Sequence, residues 1–245
     1  MRSNQLIFGT LWLLFTGYAF LLAPPVGEAS PLENRSDTLQ LIIDLSTGKW
    51  DGINPLVIAL FNLMGVLPMI YACLMLIDGK TQKLRAGLFS AASFGVGAFA
   101  ILPYLALRVS DPANRVGVAS PLENRPSASP IERHGIIKLV DSRWLGISLT
   151  IATTVLLSYG ISQGNFADFA QQWQTNRFIH VMSLDFCLLT LLLPVLIPDD
   201  MKRRHFDNPK LVKALSLIPL FGALYYLCTR PNLSELNSNS APKTV

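Results

Sequence analysis

The chain has 245 residues, of which 51% are hydrophobic and only 15% are charged, whereas soluble domains carry about a quarter charged residues. This imbalance excludes an ordinary soluble enzyme. The net charge of +4 comes from loop lysines and arginines that form no basic stripe, so the composition also excludes a nucleic-acid-binding module.

Six apolar segments match the thickness of a bilayer in length, and among them they contain two charged residues, Asp185 and Lys213. The sequence therefore predicts an all-α, polytopic transmembrane helix bundle of about six spans, as one domain over residues 1–231. A disordered tail over 232–245 follows, because it lacks apolar periodicity. The predicted spans are 5–24, 54–77, 86–107, 144–162, 178–198 and 211–229.

The first two spans have clear boundaries. The apolar stretch in 5–24 is longer than the core of a usual signal peptide, so we expect a retained helix, with cleavage as the alternative. Asn54-Pro55 begins the second span, because proline at the first helical position costs no hydrogen bond. Asn62, in mid-span, is a candidate hydrogen-bond partner for another helix, and Pro68 predicts a kink.

The third span, 86–107, is rich in small residues. Gly87, Ala91 and Gly95 lie on one face at four-residue spacing, a pattern that lets helices approach closely in lipid. The sequence therefore predicts a central, packed position for this span. The fourth span, 144–162, is the least hydrophobic; we expect it to cross the membrane, with a re-entrant segment as the alternative.

The fifth span, 178–198, contains the one acidic residue of the six. An ionisable group inside a membrane is a functional candidate, so Asp185 is a candidate for ligand binding or proton coupling. His180 is a second candidate, for proton chemistry or as an axial ligand of a pigment. The structural alternatives are a hydrogen bond from Asp185 to Asn62 or to a hydroxyl of the fourth span, and an interfacial position for His180.

Two short basic clusters flank the third and fifth spans. Contact with anionic lipid headgroups is the first interpretation of such clusters, and docking of a protein partner is the second. The candidate residues are Lys80, Lys83, Arg85, Lys202, Arg203 and Arg204.

A heptapeptide, Ala-Ser-Pro-Leu-Glu-Asn-Arg, occurs at 29–35 and again at 119–125, with a degenerate copy at 128–134. Serine, proline and glutamate in this order form a capping box, which begins a helix. We therefore expect short interfacial helices over 39–45 and 135–140. A docking epitope presented twice is the alternative.

A weaker repeat relates spans two and three to spans five and six at a constant offset of 122 residues. If the fourth span crosses the membrane, the two halves insert upside down relative to each other, which is the inverted repeat of many secondary transporters. The matched pairs are Asn54 and Asn176, Asp78 and Asp200, Lys80 and Lys202, Phe99 and Phe221, Tyr104 and Tyr226, and Arg108 and Arg230.

Several short motifs resemble an uncharacterised polytopic membrane-protein family of cyanobacteria and chloroplasts, over roughly residues 40–231. The resemblance implies a thylakoid or plasma membrane and no known reaction. The motifs are Asn54-Pro55, 61–66, 99–104, 142–144, 180–186, Asp200-Met201-x-Arg203-Arg204 and Pro219-Leu220-x-Gly222.

These patterns predict an integral, multi-pass membrane protein without enzymatic activity, because no catalytic motif is present. The first hypothesis is that it binds or supports a larger membrane complex, such as a photosynthetic one, or its pigments. The alternative is a small secondary transporter or channel with Asp185 and Asn62 at the midplane. The bilayer is the expected partner, and an enzyme acting on lipid or quinone is a third possibility.

Overall fold

The computed structural model describes residues 2–24, 35–79, 84–109, 130–204, 206 and 208–233, and these residues form helices and no strand. The all-α prediction is confirmed. The helices are α1 (Arg2–Gly17, continued by a π-helical turn, Tyr18–Leu22), α2 (Arg35–Thr47), α3 (Pro55–Asp78), α4 (Ala86–Val96), α5 (Ala98–Leu107) and α6 (Pro130–Asp141). They continue with α7 (Arg143–Gln163), α8 (Phe166–Thr175), α9 (Arg177–Leu192, followed by a 3₁₀ turn, Leu193–Val195), α10 (Ile197–Arg203), α11 (Pro209–Leu217) and α12 (Pro219–Thr229).

Four helices in the described part of the chain are long and apolar enough to cross a membrane. They are Asn4–Leu22, Pro55–Asp78, Arg143–Gln163 and Arg177–Arg203. They coincide with the first, second, fourth and fifth predicted spans, and they are compatible with an integral membrane protein.

The third predicted span is not one helix. It consists of α4 and α5, which are 11 and 10 residues long and are separated by Gly97. The rings of Phe89 and Tyr104 are 5.7 Å apart between centroids, whereas 15 residues of continuous helix would separate them by about 22 Å. The chain therefore reverses at Gly97, and α4 and α5 form a hairpin, called hairpin 1 below.

The sixth predicted span is split in the same way, at Ile218, into α11 and α12. A Cβ atom added to Gly222 would lie 2.8 Å from the carbonyl carbon of Leu215, which is closer than real Cβ atoms come. This side-by-side packing, seven residues apart in sequence, shows a second reversal, and α11 and α12 are called hairpin 2 below. The prediction of continuous spans over 86–107 and 211–229 is therefore wrong, because hydropathy measures apolar length and does not detect a turn within it.

One end of the bundle collects asparagine caps and is called the asparagine end. Asn54 caps α3 and also donates from Nδ2 to the carbonyl of Asn165, 2.8 Å away, and to Asp168 Oδ2, 2.7 Å away. Asn165 in turn caps α8, and Asn176 caps α9. Ile179 near the start of α9 also packs in one cluster with Val57 and Ile58 near the start of α3, so the N-termini of α3, α8 and α9 lie at the same end.

The opposite end, called the ion-pair end, holds the C-termini of α3 and α10. Asp78, the last residue of α3, pairs with Arg203 at the end of α10, and Arg108 after α5 pairs with Asp199. Helix α3 and the α9–α10 segment thus run in the same direction. The predicted inverted orientation of the repeat is wrong, because it would place Asp78 and Asp200 at opposite membrane surfaces.

The small-residue face of α4 does not pack centrally. Gly87, Ala91 and Gly95 are all exposed, and a Cβ added to Gly95 would meet nothing within 4 Å. The close helix contacts lie on α7 instead: a Cβ on Gly146 would lie 2.9 Å from the backbone of Leu227, and the corresponding contact of Gly160 is also tight. Small residues predict close packing only where a partner helix is present.

The two predicted loop helices are present as α2 and α6, which extend beyond 39–45 and 135–140. Helix α6 begins at Pro130 of the degenerate heptapeptide, as its capping pattern predicts. The copy at 119–125 and most of the copy at 29–35 lie outside the described residues, as does most of the predicted tail.

Candidate functional site

The tip of hairpin 1 is built around Gly97 and Asp185. Gly97 has φ 51° and ψ −125°, a conformation that essentially requires glycine. A Cβ there would lie 2.7 Å from the carboxyl carbon of Asp185, so a side chain is excluded by space as well. This approach lets Asp185 Oδ1 accept the amide of Ala98, the first residue of α5, at 2.8 Å. Asp185 therefore caps a helix that begins inside the bundle.

A cavity of about 810 Å³ lies beside this tip, between α1, α3, α9 and hairpin 1. Most of its lining is apolar, including Trp12, Phe61 and Met64, and Asp185 lies on its wall. Phe20 and Phe94 line the cavity and are 69% and 50% exposed, so the cavity opens towards the outside of the bundle between α1 and α4. Its volume falls in the range of small-molecule sites, about 300–1,000 Å³.

Arg177, the first residue of α9, lines the same cavity. Its Nε donates to the carbonyl of Pro24 at 3.0 Å and its Nη2 to that of Ala23 at 3.3 Å, which ties the end of the first span to the start of α9. These bonds leave the donors of Nη1 for another group. Within the described part of the chain, no carboxylate forms an ion pair with Arg177.

The wall formed by α1 is fixed by one hydrogen bond with a clear origin. Pro103 has no amide, so the carbonyl of Phe99 lacks its usual helical donor. The indole N–H of Trp12 donates to that carbonyl at 3.1 Å. The bond places an aromatic side chain against the cavity and holds α1 on hairpin 1.

His180 is buried between α1 and α8 and uses both ring nitrogens. Its Nε2 lies 2.8 Å from the hydroxyl of Tyr18, and its Nδ1 lies 2.8 Å from the carbonyl of Trp173. The Trp173 ring packs against it at a centroid distance of 4.3 Å. An axial ligand needs one unoccupied ring nitrogen, so this arrangement does not provide a pigment ligand at His180.

Asn62 does not meet Asp185. Its Nδ2 donates to the carbonyl of Ile58 in its own helix at 2.8 Å, and it is not among the residues that line the cavity. The hydrogen bond that the structure gives Asp185 goes to Ala98 N instead of to Asn62 or a hydroxyl of the fourth span. The spacing of residues within one helix cannot predict this partner, because the amide of Ala98 belongs to the tip of hairpin 1.

The ion-pair end repeats one pattern twice. In the first copy Asp78 accepts a hydrogen bond from the hydroxyl of Tyr104, and Arg108 Nε lies 3.3 Å from the same carboxylate. In the second copy Asp200 accepts from Tyr226 at 2.7 Å, and Arg230 Nη1 lies 3.1 Å away. Each pattern fastens the returning helix of a hairpin to the end of the span that precedes it.

Arginines from the predicted basic cluster complete this network. Arg203 binds Asp78, and Arg204, 1% exposed, binds Asp200 at 2.9 Å and Asp141 of α6 at 2.8 Å. Burial alone would lower the pKa of Arg204, but the carboxylates of Asp200 and Asp141 raise it above its ordinary value. Four aspartates and four arginines thus balance in charge within the ion pairs of the described residues.

The lipid-contact prediction for Arg204 is wrong, because its side chain is buried within these ion pairs. Arg203 pairs with Asp78 but is partly exposed, so lipid or partner contact stays a prediction for it. Lys202 and Arg85 are exposed, so they keep that prediction. Lys80 and Lys83 lie outside the described residues. The matched spacing of Asp, Tyr and Arg in both halves was a signal for Arg108 and Arg230, but it gave none for Arg203 and Arg204, which correspond to Thr81 and Gln82 at the offset of 122 residues.

Comparisons with known proteins do not identify this chain. No family model matches it, and neither a curated protein nor a solved structure does. The resemblance to a cyanobacterial and chloroplast family, the thylakoid or plasma membrane location and the photosynthetic partner therefore stay predictions.

Proposed function

We propose that this chain is an integral membrane protein that binds a lipid-soluble small molecule in the cavity beside the tip of hairpin 1. The observation that supports the proposal is the cavity itself, which has a mostly apolar lining of α1, α3, α9 and hairpin 1 and opens towards the outside of the bundle. A molecule dissolved in the bilayer would reach it without crossing water. Binding of pigments belongs to this class, although His180 would not be their ligand.

Trp12 offers a direct test because it lines the cavity. The full chain, with its other three tryptophans replaced by phenylalanine, is titrated in lipid nanodiscs with brominated fatty alcohol and brominated fatty acid of equal chain length. Bromine quenches a tryptophan that it touches, so we expect saturable quenching at low probe content. A matched protein that keeps only Trp144, which is 77% exposed, should show quenching that rises with probe content without saturating.

A space-filling variant gives the second control. Gly65 lines the cavity, and a Cβ there meets nothing within 4 Å, so the side chain of Gly65→Phe starts in open space and reduces the volume of the cavity. We expect Gly65→Phe to abolish saturable quenching, and Gly135→Phe on α6, which also has open space, to leave it unchanged. Identical quenching curves for Trp12 and Trp144 would falsify the proposal.

Transport is the second candidate, and the paired hairpins favour it. Helices that break within the membrane, beside a charged side chain, are the usual construction of substrate sites in transporters. We propose that α3–α5 and α9–α12 are two copies of one unit in the same orientation, supported by the matched caps and Asp–Tyr–Arg patterns at an offset of 122 residues.

The test of transport is proton flux. Proteoliposomes that contain the chain are loaded with a pH-sensitive dye and exposed to a proton gradient, and the proton flux is compared between the wild type and Asp185→Asn. Transport predicts a protein-dependent flux that Asp185→Asn removes. Equal flux in both, at the level of empty liposomes, contradicts proton-coupled transport and leaves the binding proposal intact.

A further inference from the structure

The cavity has two charged groups, Arg177 and Asp185, which lie at different depths and have different partners within the protein. Asp185 lies eight residues beyond Arg177 on the same helix, which is about 12 Å deeper along the axis. Its Oδ1 already accepts the amide of Ala98, and the N-terminus of α5 favours its negative charge. Asp185 therefore has a structural partner inside the protein.

Arg177 is different in both respects. It is the first residue of the candidate span Arg177–Arg203, so it lies at the level where lipid headgroups would be. Its two bonds go to neutral carbonyl groups, so no acidic group of the described residues balances its charge. A guanidinium in this situation is a binding site for a carboxylate or a phosphate.

Between these two groups the wall of α9 is apolar. Phe178, Val181 and Met182 line the cavity from Arg177 down towards Asp185. An apolar chain fits against this wall, while its polar head would stay at the level of Arg177. A phospholipid with two chains exceeds the size of a drug-sized ligand, to which a cavity of about 810 Å³ corresponds.

We infer that the ligand of this cavity is a single-chain lipid with an anionic head, which Arg177 binds at the mouth while the hydrocarbon chain extends past Met182. This inference rests on the proposed function and names its ligand class. The hydrocarbon chain of the ligand would replace water or bilayer lipid in the cavity with contacts to the protein.

The experiment compares three head groups on a hydrocarbon chain of one length. The Trp12-only protein in nanodiscs is titrated with a brominated fatty acid and with the alcohol and the amine of the same chain length. We expect the acid to saturate the quenching at a concentration at least tenfold lower than the alcohol, and the amine to bind weakest. An alkyl phosphate of equal length, used as a competitor, distinguishes a preference for carboxylate from a general preference for anions.

Two variants assign the effect to Arg177. Arg177→Gln should remove the advantage of the acid over the alcohol, and Arg177→Lys should retain most of it because the charge remains. Arg85→Gln, at an exposed arginine that does not line the cavity, should leave the advantage unchanged. If Arg177→Gln does not fold, the comparison of the three probes on the wild type still decides the question.

Each other outcome contradicts the inference in a recognisable way. Equal saturation by acid, alcohol and amine overturns the anionic head and leaves a cavity for apolar molecules. Tightest binding of the amine, lost in Asp185→Asn, overturns it in favour of Asp185 as the charged anchor. The absence of saturable quenching by any probe overturns both the inference and the proposed function.

Discussion

Hairpins 1 and 2 are fastened to the bundle alike but differ at their tips. In both, a tyrosine and an arginine of the returning helix bind the aspartate at the end of the preceding span. The tip of hairpin 1 is buried at Gly97 and capped by Asp185. At the tip of hairpin 2, no side chain of the described residues caps α12, and Leu217 is 83% exposed.

The difference between the tips has a chemical origin. The first residue of α12 is Pro219, which has no amide to satisfy, whereas Ala98 of α5 has one that needs an acceptor. At the offset of 122 residues, the position of Asp185 on α9 corresponds to the apolar Leu63 on α3. The two halves thus share the scaffold. They differ in that α9 carries an aspartate that caps hairpin 1, whereas α3 has a leucine at the corresponding position.

The prediction with the largest expected effect concerns the ion pairs that hold both hairpins. Asp78→Ala and Asp200→Ala each leave buried arginines without their carboxylate, so we expect each to lower the free energy of unfolding by about 3–5 kcal/mol. Reversible unfolding in detergent measures the change. Asp51→Ala, at an exposed position, is the control. If either buried variant is as stable as this control, the two hairpins are not held by these ion pairs.

The second prediction has a smaller expected effect on stability, and it distinguishes the tip of hairpin 1 from that of hairpin 2. Gly97→Ala forces a side chain into a backbone conformation that costs about 1–3 kcal/mol and pushes Asp185 off Ala98. Gly95→Ala, two residues away with open space, should change stability by less than about 0.5 kcal/mol. Gly222→Ala should destabilise hairpin 2 but leave the quenching of Trp12 by the brominated probes unchanged. Loss of that quenching in Gly222→Ala and its retention in Gly97→Ala would reverse the roles assigned to the two hairpins.

The smallest effect concerns the cap. Asp185→Ala removes the acceptor of the Ala98 amide and should destabilise the protein by about 1 kcal/mol, while Asp185→Asn keeps a side-chain oxygen and should lose less. Thermal unfolding of the three proteins in one detergent gives the order wild type, Asn, Ala. A stability of Asp185→Asn below that of Asp185→Ala would show that the charge, and not the hydrogen bond, is what α5 requires.

Some elements followed directly from local chemistry. Asn54-Pro55 predicted the start of the second span, and the structure has the asparagine cap and the proline at those positions. Length and hydropathy predicted four of the six spans, because a long apolar helix is visible residue by residue. The same measure was wrong for 86–107 and 211–229, since two short apolar helices joined by a tight turn have the same composition as one long helix.

The candidate site was only partly visible. Asp185 was identified as the exceptional residue because its charge stands alone in a span, but its partner was predicted incorrectly. The buried role of Arg204 was missed, because a basic cluster after an apolar segment is also typical of a lipid-facing loop. Arg177 has no distinguishing signal in the sequence, because an arginine at the start of a helix is common. Its position at the mouth of a cavity depends on the approach of α1 and hairpin 1.

The sequence by itself determined that this protein is helical and membrane-like, because helix caps and apolar length depend on neighbours along the chain. The tertiary structure alone decided the direction of the two halves, the reversal at Gly97 and Ile218, and the existence of a cavity. These features depend on contacts between residues far apart in the chain, such as Asp78 with Arg203 and Asp185 with Ala98. A lone charge in an apolar segment shows that a partner must exist, and only the fold shows which backbone amide supplies it.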